Sequence, residues 1–475
     1  MTTLSPVPPA TATADALPSD LVHALRYEVQ GVVLVAGEPG YAELVTPWNL
    51  AVTMAPRAVV AARTAGDVAA TVRLVGEHGL TVGVQSRGHG AHASLAGDVL
   101  VTTRDLDELE VHVEERWARL GAGVQGADVV AAAAPHGLLP LLGSSTDVGV
   151  VGLLTGGGVG PLARTYGLCA DRVRAIDVVT GDGALRRVTP GTDPDLFAAL
   201  RGGKGAAGII TAVEIDLLPL TSFFGGALYF DGTDTAAVLR AWTTWSANLP
   251  DEATTSIALL QLPDAAFVPP PLAGRLSVSL RFAWTGVPEE GVRLLDAVRT
   301  AGQLLLDDVS VRPTAALDSV HADPVDPLPG LEASTLLREL PDEAVEKLLA
   351  LAGPGSSSPQ LMVEVRRLGG ALSRSGAHRT AFVHRAAEYS LFSVGIAMDP
   401  RVAGHGADLV AGMERWTTGG VWPNYQPALD AASARRAYDV PTLQLLAAVV
   451  NRVDPAGVLV GGVPFRTLPG EAALP

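Results

Sequence analysis

Two histidines, His89 and His92, stand three residues apart in the turn RGHGAHAS, with His136 further along the chain. No carboxylate or cysteine accompanies them at a recognisable ligand spacing, so no metal site is expected. A lone loop histidine is ordinarily a surface or hydrogen-bonded residue, and spacing alone does not single out His89. Gly156, Gly157 and Gly158 are consecutive, with Gly149, Gly152 and Gly160 nearby. Such a run lets backbone N–H groups approach anionic or carbonyl oxygens without Cβ obstruction. Binding of a phosphate or a flavin ring satisfies this pattern, and so does tight packing of loops. Gly203, Gly205 and Gly208 have the spacing of a dinucleotide fingerprint. That fingerprint needs a strand before it and a helix after it, whereas here a predicted helix precedes and a predicted strand follows, which argues against a Rossmann NAD site. No Gly-x-Ser-x-Gly elbow is present, so a hydrolase lacks its starting nucleophile.

The elements that must position these residues are legible from periodicity. AGDVAATVRLVGEHG, residues 65–79, puts Val68, Val72, Leu74 and Val75 near one helical face, with Asp67 near its start and Gly79 as a stop. LTVGVQS then alternates like a strand and delivers His89 at its end. Further strands are predicted in VLVTT, ELEVHV, ARLGAGV and on both sides of the Asp182–Gly183 turn, with helices in ADVVAAAAPHG and DPDLFAALR. The stretch LLGSSTDVGVVGLLTGGGVGPLARTYGLCADRV is too glycine-rich for a regular element and too apolar for a solvated loop. IITAVEIDLLPL reads as a strand ending near Pro219, where a first domain boundary is placed. Beyond it, GGALYF, LSVSLRFAW, LMVEVRRLGG and LFSVGIAM read as strands and DTAAVLRAWTTWSANL and PEEGVRLLDAVRTAG as helices, an α+β second domain. Asp251 and Glu252 are expected to begin a helix and to favour its dipole.

With 475 residues, 48% of them hydrophobic and 18% charged, the chain is long enough for two cores and for burial of a large cofactor. The net charge of −16 argues against nucleic acid or anionic lipid as a partner. Cys169 is the only cysteine, which excludes an intrachain disulfide and a thiolate-bound metal cluster, so redox chemistry needs an organic cofactor. Lys204 and Lys347 are the only lysines, and this arginine and alanine bias looks like a GC-rich bacterial coding sequence. The first twenty residues have no basic start or apolar core and read as a mobile arm. No apolar run approaches the ~20 residues of a membrane span, and a cytoplasmic protein is expected.

Taken together, PRAVVAARTAGDVAATVRLVGEHGLTVGVQSRGHGA, DVGVVGLLTGGGVGPLARTYGLCAD and DPDLFAALRGGKGAAGIITAVEIDLLP, in this order and mutual spacing, resemble the FAD-linked oxidases of the berberine bridge enzyme-like group, within the vanillyl-alcohol oxidase and para-cresol methylhydroxylase superfamily. The likeness covers nearly the whole chain. It implies a two-domain α+β fold of the PCMH-type FAD-binding class: a flexible arm over 1–20, an FAD-binding domain over 21–220, a substrate domain with an antiparallel sheet flanked by helices over 221–419, and a segment over 420–475 that returns to the first domain.

The resemblance also implies roles. Gly88 and His89 match the Gly-His pair whose histidine bonds the flavin 8α carbon. Ser145 stands where many relatives have a second, cysteinyl link, so a single covalent link is expected, with Cys169 uninvolved. Val148 falls at the position governing oxygen access, which points to an oxidase using O2 and releasing H2O2. Ser86, Arg87, Gly90, Asp147, Gly149, Gly152, Gly156, Gly157, Gly158, Gly160 and Ile210 are the other expected cofactor contacts. WPNYQP places Asn424 and Tyr425 beside the flavin, and Tyr425 is expected to remove or polarise a substrate hydroxyl proton as hydride leaves for the flavin. A tyrosine base needs a neighbouring positive charge, for which Arg366 and His384 are candidates, with Tyr389 as a further substrate contact. Departures are Ala206 and Ala207, where Asn and Phe are frequent, and Arg87 in place of a common glycine. The expected substrate is a small alcohol, sugar or secondary-metabolite phenol. A tailoring oxidase or oxidative cyclase, a noncovalent FAD dehydrogenase and a flavin-binding protein without turnover remain alternatives. No partner protein is indicated.

Overall fold

The helix predicted for residues 65–79 spans Ala65–Glu77 in the computed structural model, which describes residues 16–426 and 430–466. Thr64 and Asp67 form a reciprocal capping box at its start. The buried Asp67 carboxylate also accepts the backbone N–H groups of Gln30 and Arg63 at 2.9 and 2.8 Å. Gly79, at φ 66°, turns the chain back into the strand Val82–Gln85. That strand lies at the edge of a four-stranded sheet whose order is Val32–Val35, Ala58–Ala61, Val99–Thr102, Val82–Gln85, parallel except for the first pair.

A second sheet follows in the chain. Its central strand, Ile209–Pro219, pairs antiparallel with Trp117–Gly121 on one side and Val173–Val179 on the other, and Leu138–Pro140 joins its far end. Buried aliphatic residues of both sheets share one core with the helix Val440–Val453, whose Leu443, Leu446, Val449 and Val450 return the end of the chain to this half. Asp454 fixes that return by accepting the N–H groups of Val458 and Leu459 at 2.9 and 3.0 Å. Val458 in turn accepts the N–H of Val82 at 2.7 Å.

The third sheet has eight antiparallel strands, all between Ser222 and Ile396. From its second strand to its far edge it runs Ser222–Asp231, Leu276–Trp284, Ala253–Gln261, Met362–Arg367, Tyr389–Ile396 and Gly330–Leu337. Strand side chains alternate between faces. One face, with Leu228, Leu280, Ile257, Val365 and Leu391, packs in a core with residues of the helices Thr235–Ser246, Pro288–Arg299, Asp342–Ala352 and Arg401–Gly412. The opposite face looks into the cavity described below. The fold is α+β.

Three expectations need correcting. Asp251 and Glu252 lie in a turn that opens the strand Ala253–Gln261, not a helix, because the β-rich run that follows them is buried on both faces of the sheet. The glycine-rich stretch does contain regular structure, the short helices Val150–Thr155 and Ala163–Tyr166, since the apolar residues between its glycines reach the core. Of the arm, residues 1–15 lie outside the described residues, while Leu17 is already buried and the first helix starts at Ser19. Among the described residues no helix is long and apolar enough to cross a membrane.

Candidate active site

The strand Val82–Gln85 ends in the turn Ser86 to Gly90. Gly88 sits there at φ 85°, and a Cβ on it would lie 2.5 Å from the Pro47 Cβ, so only glycine lets the turn close against Pro47. Ser86 Oγ donates to Ala122 O at 3.0 Å and Arg87 Nη2 to Gly123 O at 3.3 Å, which ties the turn to the second sheet. The next residue, His89, is stacked on Trp48 with ring centroids 4.5 Å apart. Its Nε2 lies 3.7 Å from Asp147 Oδ2, and its buried Nδ1 has no hydrogen-bond partner. Burial outweighs the Asp147 carboxylate and pushes the imidazole pKa down to about 4, so the ring is neutral near pH 7. Asp147 is itself steadied by Gln125 Nε2, which donates to its Oδ1 at 2.7 Å.

His89 opens onto a cavity of about 1370 Å³ that continues to the third sheet. Ser86, Arg87, Gly88, Gly90, Ser145, Val148, Gly149, Gly152 and Ile210 line it, and Asp147 stands behind His89. Gly156, Gly157, Gly158 and Gly160 do not line it. A Cβ on Gly156 would fall 2.4 Å from Asn424 Nδ2, on Gly158 2.7 Å from the Cys169 Cβ, and on Gly160 2.0 Å from Leu142 O, while Gly157 backs onto Phe382. For these four glycines, close packing is the reason for the missing side chain.

Asn424 lines the cavity, yet its polar atoms are committed elsewhere. Nδ2 donates to Leu153 O at 3.0 Å, and Oδ1 accepts the Gly158 N–H at 2.9 Å and Trp422 Nε1 at 3.1 Å. It fastens the glycine-rich segment to the returning chain. Tyr425 packs its ring 4.7 Å from that of Phe392 inside the cavity. Burial raises its phenol pKa, and the opposing influence of Arg366 is the smaller one. Near neutrality Tyr425 is therefore a hydrogen-bond donor, and the positive charge expected to make it a base does not suffice. The remainder of WPNYQPALD, residues 427–429, lies outside the described residues.

The two other substrate candidates fall elsewhere. Tyr389 pairs with Arg367, one residue out of phase with Arg366, so its ring points to the helix-covered face, 6.1 Å from that of Trp242. His384 lies off the cavity wall, its Nε2 within 2.8 Å of Arg436 O. Arg366, the third candidate, does line the cavity, and strand parity sets beside it residues that the sequence did not single out: Ser256 is the direct cross-strand neighbour of both Arg281 and Arg366, and Glu364 joins them on the cavity face. The signal was present: polar Ser277, Ser279 and Arg281 alternate with apolar Val278, Leu280 and Phe282 in LSVSLRFAW, and Glu364 and Arg366 alternate with valines in VEVRR. Lys204 and Glu332 line the cavity as well. Burial pulls the Lys204 pKa down to about 8 and lifts that of Glu332 to about 7, each opposed by the charge of the other.

A flavin dinucleotide fits these residues. The cavity is long, glycines allow close backbone approach along one wall, and the unpartnered His89 Nδ1 sits where a bond partner would satisfy it. Residues 56–189 match the family model described as FAD binding domain. The (R)-6-hydroxynicotine oxidase of Paenarthrobacter nicotinovorans is 32% identical over 194 residues, 40% of this chain and 42% of that protein, so the chain spans about two fifths of the length of this curated relative. Among solved structures, 6-hydroxy-D-nicotine oxidase from Arthrobacter nicotinovorans superposes with a TM-score of 0.78 at 22% identity, covering 91% of this chain and 96% of that one. Berberine bridge enzyme from Eschscholzia californica gives 0.79 at 18% identity, covering 94% and 99%. Two variants of Phl p 4, one described as a glucose dehydrogenase and the other, with a further isoleucine-to-valine exchange, as a glucose oxidase, each give 0.78 at 17% identity, covering 93% and 98%. These structural likenesses establish the fold. Residues 56–189 thus carry an FAD binding domain, and the chain shares its fold over nearly its whole length with these FAD-linked enzymes.

Proposed function

We propose that this protein is an FAD-dependent oxidase that carries its flavin on one covalent link at His89 and oxidises a small organic molecule with O2 as electron acceptor. The observation that carries this reading is a single cavity that has the neutral His89 imidazole, its Nδ1 without a partner, on one wall and a polar sheet face on another. Bound FAD supplies the two-electron oxidant and an electrophilic 8α carbon.

The chain's own residues do the rest. Asp147 faces Nε2 of His89, which favours the proton on that nitrogen and leaves the Nδ1 lone pair as the nucleophile. A second link has no thiol to use: Ser145 lines the cavity, and Cys169 is buried against Gly158 with its pKa driven upward by burial. Tyr425 donates a hydrogen bond to the substrate oxygen and holds it in place. Glu332, whose carboxyl titrates at about 7 beside the cavity, takes the substrate proton, a value suited to a base working near neutrality. Glu364 is unsuited to that task because two guanidinium groups hold its pKa well below the ordinary carboxylate range. Val148 on the cavity wall supports O2 as acceptor, in keeping with the valine exchange that accompanies the description of Phl p 4 as an oxidase.

The test is an absorption spectrum before and after acid precipitation, for the wild type and His89→Ala. A yellow wild-type pellet, a colourless mutant pellet and peroxide release during turnover are the expected results. A protein that takes up no FAD would end this reading, and flavin that washes out of the wild-type pellet would end the covalent link.

A further inference from the structure

Glu364 lies at the centre of the cavity-facing row of the third sheet and is 1% exposed. Its Oε1 accepts Arg281 Nη1 and Ser256 Oγ, both at 2.7 Å, and its Oε2 accepts Arg366 Nη2 at 2.8 Å. Both arginines are buried, at 4% and 6% exposure, and so is His321 at 6%. Two guanidinium groups thus face one carboxylate. Among the described residues no second carboxylate lies within ion-pair distance of either arginine, although Asp323 lines the same cavity. The hydrogen bonding is equally unbalanced. Arg366 Nη1, Arg281 Nε and His321 Nδ1 have no hydrogen-bond partner, and His321 Nε2 reaches only Glu364 Oε1, at 3.5 Å. Buried positive charge in excess of its counterion costs several kcal/mol, and a guanidinium fork is best matched by a planar carboxylate.

We propose that this floor is a subsite for an anionic group of the substrate, a carboxylate or ionised phenol, held by Arg366 with His321 beside it. The inference rests on the oxidase reading above for the identity of the ligand as substrate. The anion restores charge balance to the Arg281–Glu364–Arg366 cluster, and an aromatic ring attached to it lies alongside Tyr425 and Phe392, which pack together in the same cavity. An amine in the same place would set a third positive charge against the two arginines, so the cluster rejects cationic substrates as well as favouring acidic ones.

Isothermal calorimetry on the purified holoprotein near pH 7, with benzoate, benzamide and benzylamine as probes and the flavin absorption band followed in parallel, tests this. Benzoate is expected to bind roughly 10- to 100-fold more tightly than benzamide, the factor of one charge-assisted hydrogen bond, with benzylamine weakest. Arg366→Gln is expected to erase the preference for benzoate while benzamide affinity stays in place, and Arg366→Lys to keep part of it. Equal affinity for benzoate and benzamide in the wild type, a ranking that needs no variant to fold, would overturn the subsite. A preference that survives Arg366→Gln would overturn it too. A chain without FAD that still ranks the probes in this order loses the oxidase reading and keeps the subsite; one with FAD and no ranking does the reverse.

Discussion

Proton positions at three residues govern what the cavity can do. Burial is the largest influence on two of them: it keeps His89 neutral as a nucleophile and keeps Tyr425 protonated as a donor. The third, Glu332, is balanced between burial and the charge of Lys204. A base must be deprotonated to accept a proton, so turnover is expected to rise as pH increases through about 7. Glu332→Gln is expected to slow turnover by roughly 100-fold and to remove that rise, as read from steady-state pH profiles. Tyr425→Phe deletes one hydrogen-bond donor, and anaerobic stopped-flow measurement of flavin reduction is expected to slow roughly 10- to 100-fold, with flavin content unchanged. Undiminished reduction would take Tyr425 out of the scheme. His89 was legible in the sequence only through the family resemblance, because nothing in its spacing distinguishes it from His92. What sets it apart, the Trp48 stack and the Asp147 carboxylate, comes from positions remote in sequence.

At the scale of elements, alternation along strands decides which residues meet. Arg366 and Arg367 are adjacent in sequence, yet one enters the cavity and the other accompanies Tyr389 to the helix-covered face. The period of two was readable, but which phase faces the cavity depends on where the helices pack, and that is why Tyr389 was misplaced. The glycine-rich segment makes the same point through its clamp. Asn424 joins Leu153 and Gly158 across more than 260 residues of chain and also accepts Nε1 of Trp422, two residues before it. Asn424→Ala leaves the Gly158 N–H and Trp422 Nε1 unpaired, while the Leu153 carbonyl keeps the Gly156 N–H, and is expected to lower stability by about 1–3 kcal/mol, seen as an earlier urea midpoint. The acid pellet of that variant is expected to stay yellow, since the flavin link is on a different element.

Across the whole molecule, the glycine-rich segment and the third sheet are joined by a buried arginine. Arg164 donates through Nε to Ala253 O at 2.7 Å, through Nη2 to Leu249 O at 3.0 Å and through Nη1 to Leu368 O. Arg164→Met, which keeps much of the volume and loses every donor, is expected to cost about 3 kcal/mol and to loosen the cavity wall, measurable together as a lower urea midpoint and faster proteolysis near residue 164. From its residues alone the chain determines a large acidic protein with amphipathic helices, alternating strands, a strand-end histidine and no thiol chemistry beyond one cysteine, because composition and periodicity are local properties. The order of its motifs adds the family resemblance. Only the tertiary structure decided that Gly156 to Gly158 pack against side chains and do not line the cavity, that His384 lies outside it, and that Arg281, Glu364, Arg366 and His321 form one polar floor. Those outcomes depend on sheet pairing and on which face the helices cover, relations between residues tens to hundreds apart that no local pattern encodes.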